Sequence, residues 1–140
     1  MVLYNSFEES VHNSDQIYFD KNVINIVHTG RLSLSEKGTS ILGLVAGLLK
    51  TLQKEPNLSN ILKFHFVGDL SLFEKVLLWP FKLIGLVKIW GCVDREVSLN
   101  MQKSADILLL ITKPMAKNAI SGKLIEYLKQ NKPILGLKNK

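Results

Sequence analysis

Asp106-Ile107-Leu108-Leu109-Leu110-Ile111 is an almost unbroken apolar run of strand length. A strand that is apolar at nearly every position is buried on both faces, the habit of parallel sheets covered by helices on each side. The flanking stretches agree. Residues 94–105 place Val97 and Met101 on one helical side, and residues 120–130 put Ile120, Leu124, Tyr127 and Leu128 on another apolar stripe. Pro133-Ile134-Leu135-Gly136-Leu137 then supplies a further strand.

Toward the N-terminus the alternation continues. Residues 86–90 predict a strand closed by Gly91, and residues 61–67 another closed by Gly68-Asp69. The helix between them starts near Ser71 and is expected to break near Pro80, since proline lacks the amide donor and crowds the preceding turn. Residues 39–54 predict a helix with Ile41, Val45, Leu48 and Leu52 on one face, joined by Leu42 and Leu49. Gly43 and Gly47, four apart, let that helix lie close on a sheet. Residues 23–28 form the first strand. The order β-α-β-α-β-α-β-α-β predicts an α/β fold, a doubly wound Rossmann-like parallel sheet in three layers. Ligands of such sheets bind at the carboxyl ends of strands where strand order reverses. That directs attention to the loops at 28–39, 68–71, 91–95 and 112–122. Residues 1–22 are polar and without a period. They are expected to be a linker or incoming segment, with the domain at 23–140.

Composition bounds the function. The chain has 140 residues and a formal net charge of +6, nearly all of it from lysines; Arg31 and Arg95 are its two arginines. The lysines are scattered, which suits a solvated surface or attraction to anions. No basic run interleaved with aromatics argues for nucleic acid. A single cysteine, Cys92, excludes a disulfide framework and suits a reducing compartment. The N-terminus lacks the basic start and apolar run of a signal peptide. Residues 76–87 are the longest apolar stretch, interrupted by Pro80 and Lys82 and too short to span a bilayer. They are expected to be a buried helix end and the start of a strand, with a membrane-surface patch as the other reading.

Two loops could carry chemistry. In His28-Thr29-Gly30-Arg31-Leu32-Ser33-Leu34-Ser35-Glu36-Lys37-Gly38, two cations flank a flexible loop that opens a helix. The glycines let backbone approach a ligand and the helix start adds its positive end, which together suit a phosphate. The same residues would equally serve as solvated cations with turn glycines. Neither the P-loop nor the dinucleotide glycine signature is present. In the second loop, helical spacing puts Lys123 and Glu126 on one polar face. A carboxylate there could accept hydrogen bonds from a ribose diol, or form a plain surface pair. His28 is expected to pack rather than line the cleft, and His65 to be buried and hydrogen-bonded. Trp79 and Trp90 are expected to make core or interdomain contacts. Three scattered histidines give no metal-ligand spacing.

The two loops together resemble the C-terminal, donor-binding domain of the group 1 glycosyltransferases, enzymes with two facing Rossmann-like domains (the GT-B fold). Gly30-Arg31-Leu32 followed by Lys37-Gly38 is similar to that family's Gly-Arg-Leu…Lys-Gly loop. Val67-Gly68-Asp69 is similar to its Val-Gly-Asp/Glu turn. Ser121-Gly122-Lys123-Leu124-Ile125-Glu126-Tyr127-Leu128, with Lys132-Pro133-Ile134-Leu135, resembles the segment holding the second glutamate of a Glu-(seven residues)-Glu motif. The resemblance covers roughly residues 23–137.

It implies roles residue by residue. Arg31 and Lys37 would hold the donor diphosphate and stabilise the leaving group, with Gly30, Ser121 and Gly122 nearby. Glu126 would bind the ribose. Cys92, Val93, Asp94 and Arg95 would border the base. The first glutamate of the motif would fall at 118, where this chain has Asn118, so sugar identity and the stereochemical outcome, usually retention, are open. The expected substrate is a nucleotide-diphosphate sugar, with no cofactor and no required metal. The resemblance further implies a cytoplasmic enzyme of cell-envelope or polysaccharide biosynthesis, peripheral to the inner membrane face if its acceptor is lipid-linked. Its acceptor-binding N-terminal domain is absent from these 140 residues, so the domain is expected to be truncated at both ends, binding nucleotide without transferring sugar. An epimerase of the same fold and a non-catalytic α/β binding module are the other classes.

Overall fold

The computed structural model describes residues 18–32, 40–112 and 122–138. Strands β1 (Ile24–Thr29), β2 (Leu62–Val67), β3 (Val87–Gly91), β4 (Ile107–Thr112) and β5 (Ile134–Lys138) alternate with helices α1 (Ser40–Lys54), α2 (Leu72–Leu83), α3 (Arg95–Ser104) and α4 (Gly122–Lys129). Among the described residues these strands form one sheet in the order β3-β2-β1-β4-β5, every pairing parallel. This is the doubly wound α/β architecture that the sequence predicts.

Strand alternation divides the core in two. Ile26, Phe64, Phe66, Val87 and Leu109 pack under α1 and α2, with Ile41, Leu44, Leu48, Leu78 and Phe81 pointing down at them. On the other face Val27, Val67, Leu108 and Leu110 meet Met101 of α3, Ala105 at its end and Tyr127 of α4. Successive strand residues point to opposite faces, so one apolar run feeds both layers.

One face of the sheet is pinned by a polar cluster. The His65 Nε2 lies 2.9 Å from Asn25 Oδ1, and Trp90 Nε1–H donates to His65 Nδ1 at 3.1 Å. His65 therefore donates through Nε2 and accepts through Nδ1, which fixes the neutral ring. Asn25 N–H donates to Asp106 Oδ2 at 2.8 Å. Phe19 closes over this cluster, 7% exposed, its ring 4.1 Å from that of His65. Residues 18–22 thus lie against the domain.

Several local expectations are corrected. The α2 helix runs through Pro80 instead of breaking there. The carbonyl robbed of its partner belongs to Val76, four residues earlier, and Val76 is exposed, so solvent can serve it. A capping box fixes the start of α2: Ser71 Oγ accepts from Glu74 N–H, and Glu74 Oε2 accepts from Ser71 N–H at 2.8 Å. The helix end at 76–84 is buried on one side only: Leu78 and Phe81 pack inward, while Val76, Trp79, Leu83 and Ile84 are exposed, and the expected strand follows from Val87. Leu42, Leu49 and Leu128 face outward too, and Leu44 takes the inner place on α1. Each helix meets the sheet on one side only, so the apolar stripe read from spacing is wider than the buried one.

Candidate functional site

Strand order reverses between β1 and β4, and there the sheet opens. The two strands pair through Ile26–Ile107 and Val27–Leu108. Beyond that, side chains take the backbone groups. The Leu109 carbonyl lies 2.9 Å from His28 Nδ1, which donates to it. Thr29 N–H donates to the Tyr127 hydroxyl at 3.0 Å. The crevice follows from this replacement of ladder bonds by a histidine and a tyrosine.

Three glycines turn the neighbouring strands out of the sheet. Gly30, Gly68 and Gly91 end β1, β2 and β3 at φ of +89°, +136° and +75°, a region L side chains rarely adopt. Gly30 N–H donates to the Val67 carbonyl at 2.7 Å, and Gly68 N–H to the Gly91 carbonyl at 2.8 Å. The turns are so closely stacked that a Cβ on Gly68 would stand 2.7 Å from the Gly30 carbonyl oxygen. Gly30 and Gly68 floor an open hollow of about 420 Å³.

The walls come from three other directions. Arg31 and Asp69 rise from the β1 and β2 turns, and Cys92 and Val93 from the segment after β3. Arg95, Ser98 and Leu99 face in from the first turns of α3, and Glu126 from α4. Glu126 is held from two sides. Its Oε1 accepts from Gln102 Nε2 at 2.6 Å, and its Oε2 lies 3.5 Å from an Arg95 nitrogen. Arg95 is 70% exposed, so that ion pair contributes little. The buried Gln102 is the stronger restraint, because its amide also donates to Thr29 Oγ1 at 3.0 Å. A chain of contacts therefore runs from Glu126 through Gln102 and Thr29 to Tyr127.

The electrostatics favour an anion. Lys123 folds over Gly30, its Nζ 2.9 Å from where a Cβ on Gly30 would be. Burial holds its ammonium below the ordinary lysine value, opposed by the Glu126 charge. Arg31 and Arg95 thus share the hollow with two carboxylates, Asp69 and Glu126, and Lys123 adds a third cation beside Gly30. His28 is buried beneath them, and burial first and Lys123 second lower its pKa to about 3. It stays neutral and serves the Leu109 carbonyl. Among the described residues no group of three His, Cys, Asp or Glu side chains could hold a metal.

Of the residues singled out in sequence, Gly30, Arg31, Cys92, Val93, Arg95 and Glu126 share this hollow. Asp94 does not line it; it precedes the first residue of α3, in extended conformation and without a side-chain cap bond. Gly122 starts α4 and is exposed. Lys37, Asn118 and Ser121 lie outside the described residues. Lys123 and Glu126 are no solvated surface pair, since both are partly buried at the rim. Ser98, Leu99 and Gln102 escaped the sequence reading. Their spacing from Arg95 (three, four and seven residues) marks one face of α3, a signal that gains meaning once Glu126 is known to face it.

The solved structures that this chain resembles share its fold. The pneumococcal O-GlcNAc transferase GtfA, solved in complex with UDP and GlcNAc, superposes with a TM-score of 0.57 at 14% identity over 82% of this chain. The fold is that of a GT-B glycosyltransferase domain. WaaG, a glycosyltransferase involved in lipopolysaccharide biosynthesis, matches at 0.52 and 17% identity over 84% of the chain. OtsA, in its apo structure, matches at 0.54 and 17% over 84%. The chain spans 21% of the GtfA chain and 29% of each of the other two. The sequence matches no protein-family model and no curated protein.

Proposed function

We propose that this domain binds the nucleoside diphosphate of a sugar donor for a glycosyltransferase that works with a second, acceptor-binding lobe. The observation that carries the reading is the meeting of Arg31 and Glu126 in one hollow at the open rim of the sheet. In this reading Arg31 and Lys37 hold the diphosphate, the guanidinium offering a planar fork and the ammonium a point charge. Lys123 joins them as a third cation. Glu126 takes the ribose hydroxyls, and Cys92, Val93 and Arg95 border the base. In the same reading Asn118 would contact the donor sugar, and Ser121 and Gly122 the phosphates.

Transfer breaks the bond between the anomeric carbon and the phosphate oxygen, and the electron pair stays on the leaving diphosphate. Fixed cations at the rim stabilise that charge once a second lobe closes over it, worth several kcal/mol in water-excluded sites of this type, so the reading needs no metal or cofactor. The acceptor hydroxyl forms the new bond, and its proton leaves to a group outside this hollow. The reading extends to retention of configuration, to a cytoplasmic enzyme of cell-envelope or polysaccharide synthesis and to a lipid-linked acceptor. By itself the 140-residue chain binds nucleotide and turns nothing over.

Calorimetric titration of uridine and guanosine diphosphates tests it. One of the two should bind, and Arg31→Ala and Glu126→Ala should each weaken binding about tenfold or more, as expected for lost charge-assisted hydrogen bonds. Absence of binding by both nucleotides at millimolar concentration would refute the reading.

A further inference from the structure

The outer side of α2 is apolar where a surface helix should be polar. Leu72, Val76, Trp79 and Leu83 are 78%, 63%, 54% and 70% exposed. Their spacing of four, three and four residues sets them on one stripe, opposite the buried Glu74, Leu78 and Phe81. Phe73 and Ile84 are exposed beside it. In the same layer α1 exposes Leu42 and Leu49.

Within α1 and α2 the exposed charge has a single sign. The exposed ionisable residues of α1 and α2 are Lys50, Lys54, Lys75 and Lys82; the one acid, Glu74, is buried in the capping box. Lys75 and Lys82, seven apart, run along one flank of the stripe, and the Lys82 ammonium lies 5.4 Å from the Trp79 ring centroid. An apolar stripe with a tryptophan and flanking lysines fits a helix lying in the interface of an anionic bilayer, the rings and aliphatic chains immersed and the ammonium groups among the headgroups. No helix among the described residues is long and apolar enough to cross a membrane, so the contact is with the surface.

Direction along the helix favours a membrane over a second protein lobe. The α2 helix starts beside the rim that holds the hollow and runs back along the sheet for about 18 Å. A lobe seated over the rim could cover Leu72 and Phe73, leaving Trp79 and Leu83 bare at the far end. A flat surface covers the whole stripe. We propose that α2, with Leu72, Val76, Trp79, Leu83 and the flanking Lys75 and Lys82, docks this domain on anionic lipid. The inference is independent of the nucleotide reading, since the hollow and the stripe share no residue.

The test is co-sedimentation of the full chain with vesicles of phosphatidylcholine alone, and of phosphatidylcholine with 30% phosphatidylglycerol. Binding is expected only to the anionic vesicles, weakening as salt rises. Lys75→Gln with Lys82→Gln should lower the partition coefficient about tenfold or more. Val76→Ser with Trp79→Ser should abolish binding while the circular dichroism spectrum stays unchanged. Three results would overturn the proposal: no binding to anionic vesicles, binding that survives both double variants, or a concentration-dependent dimer that Val76→Ser with Trp79→Ser dissolves, which would make a second copy the occupant.

Discussion

Replacing Tyr127 by Phe removes one oxygen from the place where β1 and β4 part. The ring is fully buried and keeps its packing in the variant, so no cavity of consequence forms. The loss is specific. Thr29 N–H gives its hydrogen to the tyrosine hydroxyl at 3.0 Å, and the hydroxyl also stands 3.3 Å from Thr29 Oγ1. Thr29 is itself 3% exposed, so water cannot readily take the orphaned amide. A net hydrogen bond of ~1 kcal/mol is lost and a buried donor is left unsatisfied at ~1–3 kcal/mol. The sum is about 2–4 kcal/mol. At roughly 3–4 °C per kcal/mol for a domain of this size, the melting temperature should fall by about 6–16 °C. Urea unfolding should show the same loss through a lower midpoint at constant m. A cycle with Thr29→Val should give a coupling of about 0.5–3 kcal/mol, because the two side chains share the bond. A loss below about 0.5 kcal/mol for Tyr127→Phe would refute the idea that side chains replace the sheet ladder here.

Further outcomes are expected. Acid should destabilise the domain through its histidines: burial holds His28 down to about 3, and burial with Lys63 and Lys88 nearby holds His65 at about 4. The unfolded chain protonates both near 6.5, so it binds more protons below that pH, and stability should fall as pH drops from 6.5 toward 3, with no contribution above 7. Imidazole resonances followed by NMR check this; a His28 midpoint above 6 would contradict it. Gly68→Ala should cost about 2 kcal/mol or more in urea unfolding, since alanine must adopt φ of +136° and push against the Gly30 carbonyl; a neutral effect would show that the stacked turns are loose. Gln102→Leu should free Glu126 and weaken nucleoside diphosphate binding several-fold. Calorimetry reads it, and unchanged affinity would mean that Gln102 does not position the carboxylate.

How far the sequence reaches can be seen at single residues. The run at 107–111 announced a buried parallel strand because burial on both faces leaves no polar position. Val97, Met101 and Tyr127 announced inner helix faces in the same way. Leu128, Leu42 and the α2 stripe misled, because spacing records which residues could share a face and not which face the sheet will cover. Pro80 misled as well, since the cost of a missing helix bond depends on whether solvent reaches the stranded carbonyl.

The site divides along the same line. Arg31 and Glu126 could be named from the local patterns Gly-Arg-Leu and Lys-Leu-Ile-Glu-Tyr, in which each residue sits within a few positions of its helix or turn. Their meeting could not, for they are 95 positions apart and joined only by the 3-2-1-4-5 strand order. The residues that support Glu126, namely Gln102 and Thr29, carry no sequence pattern of their own. Chain-local chemistry determined the strands, the helices and the candidate charges. Only the folded sheet, by parting β1 from β4 and stacking three glycine turns, decided which of those charges face a common hollow, because convergence depends on distances that no one-dimensional spacing encodes.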